Sequence, residues 1–166
     1  MGSKKRSKEI DASTFDCVKA AQYGALDRMK DLVEKEGLDV NVPDKENVTL
    51  LHWSAINNRK EVVSYLISVG ANVNAIGGDL QSTPLHWATR QGHLSMVILL
   101  MSNGADPSIL DGEGANCLHL AAQFGHTAIV AYFVASGSVD INSPDSNGMT
   151  ALMWSSFRIS TNDPTR

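Results

Sequence analysis

The sequence predicts an all-α solenoid of stacked helix-turn-helix units, and two independent sets of repeated residues support this prediction. The phrase LHWSAINN, which begins at Leu51, returns as LHWATRQG at Leu85. Corresponding residues keep one period of 33–34 residues along the chain, as Cys17, Leu51, Leu85, Leu118 and Leu152 show. The glycines that end apolar segments, Gly70, Gly104 and Gly137, keep the same period.

Each unit begins with a short helix that has its own start and stop signals. In STPLHWA, Thr83 suits the N-cap and Pro84 suits the first helical position, where its missing N–H costs nothing. Gly92 and Gly125 are expected to end the first helix of their units, because glycine adopts the left-handed conformation at little cost.

A second helix follows in each unit, and its apolar residues fall at positions i, i+1 and i+4, which form one buried stripe. The corresponding residues of three units are Val62, Val63 and Leu66, then Met96, Val97 and Leu100, then Ile129, Val130 and Phe133. Turn-forming residues such as NGADPSILDGEG then lead to the next unit.

The repeated motif is typical of the ankyrin repeat, which has a period of about 33 residues and the pattern T-P-L-H-x-A. TPLHWAT fits this pattern closely, and TLLHWSA, NCLHLAA and TALMWSS depart from it at few positions. The predicted architecture is therefore an ankyrin-repeat solenoid, in which helix-turn-helix units of this period are joined by β-turn fingers.

We expect a disordered basic tail over residues 1–10 and one ankyrin-repeat domain over residues 11–166. An N-terminal cap unit is expected at about 11–43, because Arg28 stands where Val62 stands in the next unit. Full units are expected at about 44–77, 78–110 and 111–144, and an incomplete unit at 145–166. Because no second helix follows the last motif, we expect the sequence to be a piece of a longer protein.

Composition argues against several classes of function. The net charge of −4 disfavours nucleic acid as a partner. No segment approaches the roughly 20 apolar residues that span a bilayer, so direct membrane insertion is not expected. Cys17 and Cys117 lie three units apart, too far for a disulfide, and a cytosolic environment is expected.

The five histidines are expected to be structural. His52, His86 and His119 each occupy the third position after a helix N-cap, where the imidazole can bond the cap or the neighbouring turn. His93 and His126 recur after the glycine position between the helices. No nucleophile and base, phosphate-binding loop or metal-ligand spacing stands out, so neither catalytic residues, a metal nor a cofactor is predicted.

The first helices offer a candidate binding surface, because positions i, i+3 and i+4 share a face opposite to Leu85 and Ala88. Stacking should join these sets into a stripe on the inner, concave surface, rich in aromatic residues and Arg as binding surfaces are. The sets are Lys19, Gln22 and Tyr23, then Trp53, Ile56 and Asn57, then Trp87, Arg90 and Gln91, then Leu120, Gln123 and Phe124, and finally Trp154, Phe157 and Arg158. The alternative is that each Trp only packs between first helices.

Several stretches go beyond the general ankyrin pattern, among them PDKENVTLLHWSAINNR, GGDLQSTPLHWATRQGHLSMV and GADPSILDGEGANCLHLAAQFGH. They resemble the N-terminal ankyrin domain of the huntingtin-interacting palmitoyltransferases of the DHHC type. The resemblance implies a parent enzyme of Golgi and vesicle membranes that transfers palmitate to protein cysteines. It also implies that the ankyrin domain captures substrates on the cytosolic side, with Asn57 and Trp87 carrying much of the recognition.

The predicted function is thus a protein-interaction module that recruits substrates to a palmitoyltransferase. By the resemblance, its partners are huntingtin-like and vesicle proteins with a β-branched residue and a downstream Gln-Pro. The chain itself is not expected to be an enzyme, because no Asp-His-His-Cys motif occurs in it. The alternative is a free-standing ankyrin adaptor or inhibitor.

Overall fold

The computed structural model describes residues 12–161, with side chains described as far as residue 158. A 3₁₀ turn at Ala12–Thr14 precedes nine α-helices in this part of the chain. They are α1 (Cys17–Tyr23), α2 (Leu26–Glu34), α3 (Leu50–Ile56), α4 (Lys60–Ser68), α5 (Pro84–Arg90), α6 (Leu94–Ser102), α7 (Cys117–Phe124), α8 (Thr127–Ser136) and α9 (Ala151–Thr161). The basic tail predicted at residues 1–10 lies outside the described residues.

The helices stack in two layers, which confirms the predicted all-α solenoid. The odd-numbered helices, here called first helices, each pack on the next one along the chain from α1 to α9. The even-numbered second helices form a parallel row from α2 to α8. Leu85 and Ala88 of α5 are fully buried between the layers, as expected for the residues that identify the repeat.

The predicted helix ends are confirmed where the sequence signals are strongest. Thr83 is the N-cap of α5 and Pro84 is its first residue. Gly125 ends α7 with a φ of 73°, a left-handed conformation that glycine adopts at little cost. Asn58 occupies the corresponding position after α3 and also has a positive φ of 56°.

The histidines after the N-caps link one unit to the next, which confirms their predicted structural role. In α5 the imidazole Nδ1 of His86 lies 2.8 Å from the hydroxyl of Thr83, and Nε2 lies 3.3 Å from the carbonyl of Ala115 in the next unit. His52 repeats this arrangement, with Nε2 2.9 Å from the carbonyl of Ser82. Because a carbonyl accepts only, the Nε2–H tautomer is assigned from these bonds.

A second row of links joins each first helix to the unit that follows. Nε2 of His93 bonds the carbonyl of Ile56 at 3.0 Å, and Nε2 of His126 bonds the carbonyl of Arg90 at 2.9 Å. Arg59 plays the same part earlier in the chain, since its Nε–H donates to the carbonyl of Gln22 at 2.8 Å. These links satisfy carbonyls that the last turn of a helix leaves without partners.

The segments before the first helices are β-turn fingers, as the repeat predicts. We define the fingers as residues 42–49, 76–83, 109–116 and 143–150. The second finger closes on itself through two backbone bonds between Gly77 and Ser82. Fingers also bond one another, since Gly78 N–H donates to the carbonyl of Asn47 and Gly112 N–H to that of Leu80. A side chain at Gly77 would collide with the Asn47 carbonyl, so glycine is required there.

Candidate peptide-binding groove

The candidate site lies between the fingers and the exposed faces of the first helices. A cavity of about 580 Å³, here called the Trp87 cavity, opens beside α5. Its lining combines two fingers with the first helices α3 and α5, and consists of Glu46, Val48, Ile56, Gly78, Asp79, Leu80, Trp87, Arg90 and Gln91. The lining therefore combines apolar side chains with charged ones.

A second cavity of about 490 Å³, here called the Asn57 cavity, lies one unit towards the N-terminus. It is lined by Gln22, Tyr23, Trp53, Ile56, Asn57, Arg59 and Gln91. Because Ile56 and Gln91 line both cavities, the two are neighbouring parts of one groove. This groove brings together six of the eight predicted site residues, namely Trp53, Ile56, Asn57, Trp87, Arg90 and Gln91.

The other two predicted residues lie elsewhere. Gln123 lines a separate cavity of about 400 Å³ with Glu113 and Trp154. Phe124 is 40% exposed and stacks on His126, with the guanidinium of Arg90 above its ring at 5.7 Å. Phe124 therefore contacts the groove through Arg90, whereas Leu120 is fully buried and not exposed on the inner surface as expected.

Trp53 and Trp87 occupy the same repeat position but have different surroundings. Trp53 packs against the hydrophobic core, and its indole Nε1–H donates to the carboxylate of Asp44 at 2.8 Å. Trp87 is half-buried, meets His52 and Trp53 edge-on and does not pack against the core cluster. The packing alternative thus describes much of the role of Trp53, while Trp87 presents its ring to the cavity.

Asn57 is exposed, forms the C-cap of α3 and lines the Asn57 cavity. Its Nδ2 donates to the carbonyl of Trp53 at 2.8 Å. An amide nitrogen carries two hydrogens, so a second N–H and the Oδ1 acceptor remain for a partner. The left-handed Asn58 that follows turns the chain sharply and keeps Asn57 at the groove's edge.

Charges surround the Trp87 cavity on the finger side. Arg90 contacts the buried carboxylate of Asp111 at 3.4 Å and is 4.0 Å from Glu113, while its Nε has no hydrogen-bond partner among residues 12–161. Glu46 and Asp79 add two carboxylates from neighbouring fingers. Glu46, Asp79 and Leu80 were not predicted from the sequence, because the finger residues indicate only turn-forming connections. The available signal was the return of finger residues at one fixed distance before every first helix.

The described residues contain no group of three or more His, Cys, Asp or Glu side chains that could hold a metal ion. Cys17 and Cys117 are free thiols, and burial raises the pKa of Cys117 well above its ordinary value. A buried thiol of this kind is a poor nucleophile. Between residues 12 and 161, no helix combines the length and apolar character that crossing a membrane requires.

Comparison with known proteins gives the same architecture. The family described as ankyrin repeats, in three copies, matches residues 18–111 and 96–161. Over 94% of its length the chain is 65% identical to the palmitoyltransferase ZDHHC17 of Homo sapiens. It is 60% identical to the palmitoyltransferase Hip14 of Drosophila melanogaster over 95% of its length, and 57% identical to the putative palmitoyltransferase ZDHHC13 of Danio rerio over 98%.

The chain spans about a quarter of the length of these curated relatives, from 24% to 25%. The resemblance to the ankyrin domain of this palmitoyltransferase family is thereby confirmed. Ankyrin repeats indicate a protein–protein interaction module.

Proposed function

The chain belongs to the ankyrin-repeat family, and from that premise we propose that it recruits protein substrates to a palmitoyltransferase. It binds an extended segment of the substrate in the groove formed by the Trp87 and Asn57 cavities. The observation that carries this proposal is the sharing of Ile56 and Gln91, which joins the two cavities into one elongated groove. An elongated groove suits an extended peptide better than a compact small molecule.

Trp87 and Asn57 have complementary roles in this proposal. The indole of Trp87 offers a flat apolar platform, which suits a proline ring of the partner. The remaining N–H and Oδ1 of Asn57 can bond the backbone C=O and N–H of an extended segment. Ile56, which lines both cavities, supplies apolar surface for a β-branched side chain between them.

The partner chemistry follows from the resemblance and fits this lining. A segment with a β-branched residue and a downstream Gln-Pro places its apolar groups on Ile56 and Trp87. Its Gln side chain lies within the groove near the polar side chains of Gln91 and Arg90. Huntingtin-like and vesicle proteins are the proposed substrates, and the parent protein acts at the cytosolic face of Golgi and vesicle membranes.

The test is calorimetric titration of a short synthetic peptide that contains Val and, downstream, Gln-Pro. Trp87→Ala is expected to weaken binding by about 2 kcal/mol or more, as truncation of a central aromatic contact does. Asn57→Ala is expected to cost about 1–3 kcal/mol, because polar groups of the peptide lose their partner. Circular dichroism melts of both variants separate loss of binding from loss of folding.

Asn103→Ala is the matched control for Asn57→Ala. Asn103 is also an exposed asparagine at a helix end, and its Nδ2 donates to the carbonyl of Leu99 at 2.8 Å. The control removes the same kind of helix-end bond from α6, away from the groove, and peptide affinity should not change. Wild-type affinity in both groove variants would refute the proposal, and so would equal losses in Asn57→Ala and Asn103→Ala.

A further inference from the structure

The three tryptophans of the chain occupy one repeat position, and a residue nine positions earlier distinguishes them. Asp44, Gly78, Asp111 and Asp145 correspond to one another, because the repeat period separates each from the next. The ninth residues after them are Trp53, Trp87, Leu120 and Trp154. Trp87 is therefore the tryptophan whose unit has no aspartate at this position.

In the units that have both the aspartate and the tryptophan, the two side chains are hydrogen-bonded to each other. The indole Nε1–H of Trp53 donates to Asp44 at 2.8 Å, and that of Trp154 donates to Asp145 at 2.7 Å. The other carboxylate oxygen of Asp145 accepts the backbone N–H groups of Asn147 and Met149, so the aspartate also holds its finger. In these two units the indole N–H already has an acceptor within the protein and is not available to a partner.

Trp87 has no such partner, and the reason is the glycine at position 78. Its Nε1–H makes no hydrogen bond within residues 12–161 and is not among the buried unpartnered polar atoms, so solvent reaches it. A Cβ at Gly78 would lie 3.2 Å from Cζ2 of Trp87, on the nitrogen-bearing edge of the ring. Any side chain at position 78 would therefore crowd this edge.

We propose that Gly78 is a specificity-determining residue, because it leaves the indole N–H of Trp87 free to donate to a backbone carbonyl of the bound peptide. The inference rests on the proposed function and adds a directional contact to it. A peptide seated on Trp87 displaces water from the N–H, and a buried donor without an acceptor is unfavourable. An extended segment has backbone carbonyls without partners, and one of them satisfies this donor. Trp53 and Trp154, bonded to their aspartates, cannot make this contact.

Nuclear magnetic resonance of the indole N–H groups tests the contact directly. In the free chain, the indole N–H of Trp53 should exchange slowly with solvent, because Asp44 accepts its hydrogen bond, and that of Trp87 should exchange quickly. The Gln-Pro peptide used for calorimetry should then shift the Trp87 signal downfield and slow its exchange. If the peptide binds in calorimetry but the Trp87 indole N–H still exchanges quickly, this inference is wrong and the proposed function still holds. If the peptide does not bind in calorimetry, both this inference and the proposed function are wrong.

Replacement of the N–H alone gives a second test. Benzothienylalanine, which has sulfur in place of the indole N–H, is introduced at position 87 or, as the matched control, at position 154. At position 87 we expect a loss of roughly tenfold in peptide affinity without a change in melting temperature. At position 154 we expect a lower melting temperature, because Asp145 loses its donor, and an unchanged affinity. Wild-type affinity with the isostere at position 87 would overturn the proposal.

Two substitutions at position 78 test the part played by the glycine. Gly78 has a φ of 71°, so Gly78→Ala and Gly78→Asp both impose a backbone cost, and only Gly78→Asp adds a carboxylate. We expect the Trp87 N–H to become protected from exchange only in Gly78→Asp, with a larger loss of peptide affinity than in Gly78→Ala. Equal affinities and equal exchange in the two variants would contradict the assignment.

Discussion

At the scale of the single residue, the buried histidines show how a polar side chain can belong to a core. His52 and His86 are fully buried, yet each ring nitrogen has a partner. Nδ1 contacts the N-cap of the histidine's own unit, and Nε2 donates to a carbonyl of the next one. The neutral imidazole therefore satisfies backbone groups that would be costly to bury alone.

This arrangement predicts a dependence of stability on pH. Burial lowers the pKa of His52 and of His86 below the ordinary value of 6.5, although the hydrogen bonds to Ser82 and Ala115 oppose the shift. As pH falls below 6.5, the unfolded chain binds protons at these positions while the folded chain does not. The free energy of unfolding is therefore expected to be highest above that pH and to decrease as the solution becomes more acidic.

Urea unfolding at a series of pH values between about 5 and 8 measures this dependence. The control is His86→Gln, which should be less stable than wild type throughout because its links to Thr83 and Ala115 are altered. In that variant the slope of stability against pH should be smaller, since one titrating group is gone. An unchanged slope in His86→Gln would contradict the assignment to the buried histidines.

At the scale of the element, three of the four fingers are held by an aspartate that accepts hydrogen bonds both from the finger's own backbone and from a side chain of a first helix, namely Asp44, Asp111 and Asp145. Asp145 accepts the N–H groups of Asn147 and Met149 through one oxygen and the indole of Trp154 through the other. Burial raises the pKa of Asp145, but these hydrogen bonds outweigh it and hold the pKa below its usual value. The ionised carboxylate therefore stabilises the junction between finger and helix.

Removal of the Asp145 carboxylate should lower the free energy of unfolding by more than removal of an ordinary carboxylate in a turn would. We expect Asp145→Ala to lower the free energy of unfolding by about 2–3 kcal/mol, because several donors lose one acceptor. The control is Asp140→Ala in an exposed turn, where, within the described part of the chain, the carboxylate accepts only from the N–H of Asn142. The free energy of unfolding of Asp140→Ala should be lower than that of the wild type by about 1 kcal/mol or less. Urea unfolding followed by circular dichroism compares the two, and equal losses would count against this role of Asp145.

The helices were predictable from the sequence and the contribution of the fingers to the groove was not. Helix signals such as Thr83, Pro84 and Gly125 act within a few residues, so a local pattern indicates them. A finger is positioned by hydrogen bonds to the neighbouring unit, as when the N–H of Gly112 donates to the carbonyl of Leu80 in the preceding finger. The position of Asp79 or Glu46 beside Trp87 depends on such contacts between units, and no local pattern contains them.

Burial of Leu120 has a similar explanation. The spacing placed it in line with Trp53 and Trp87, and all three do occupy the same repeat position. A leucine is smaller than a tryptophan and has no polar edge, so it is covered completely where the indoles remain half-buried. The sequence pattern thus identified the position correctly, while residue size and the packing of neighbouring units determined its exposure.

At the scale of the whole molecule, each helix is supported only by its neighbours in the stack. α5 packs on α3 and α7 on either side and on α6 behind it, whereas the main contact of α9 is with α7. The groove lies beside α3 and α5, within the part of the stack that has first helices on both sides. A binding surface built on such supported helices is ordered before the partner arrives, which reduces the entropy lost on binding.

Local stability is therefore expected to form a gradient along the stack. Amide hydrogen exchange of the described chain should be slowest in α3 and α5 and fastest from about Thr150 through α9, because opening a helix with fewer packed neighbours costs less free energy. Leu152 and Phe157 of α9 are 75% and 57% exposed, so this helix buries little apolar surface. Helix α1, which packs on α2 and α3, serves as the internal comparison and should be intermediate. Protection in α9 equal to that in α5 would mean that the solenoid unfolds as one cooperative unit, without a gradient from its middle to α9.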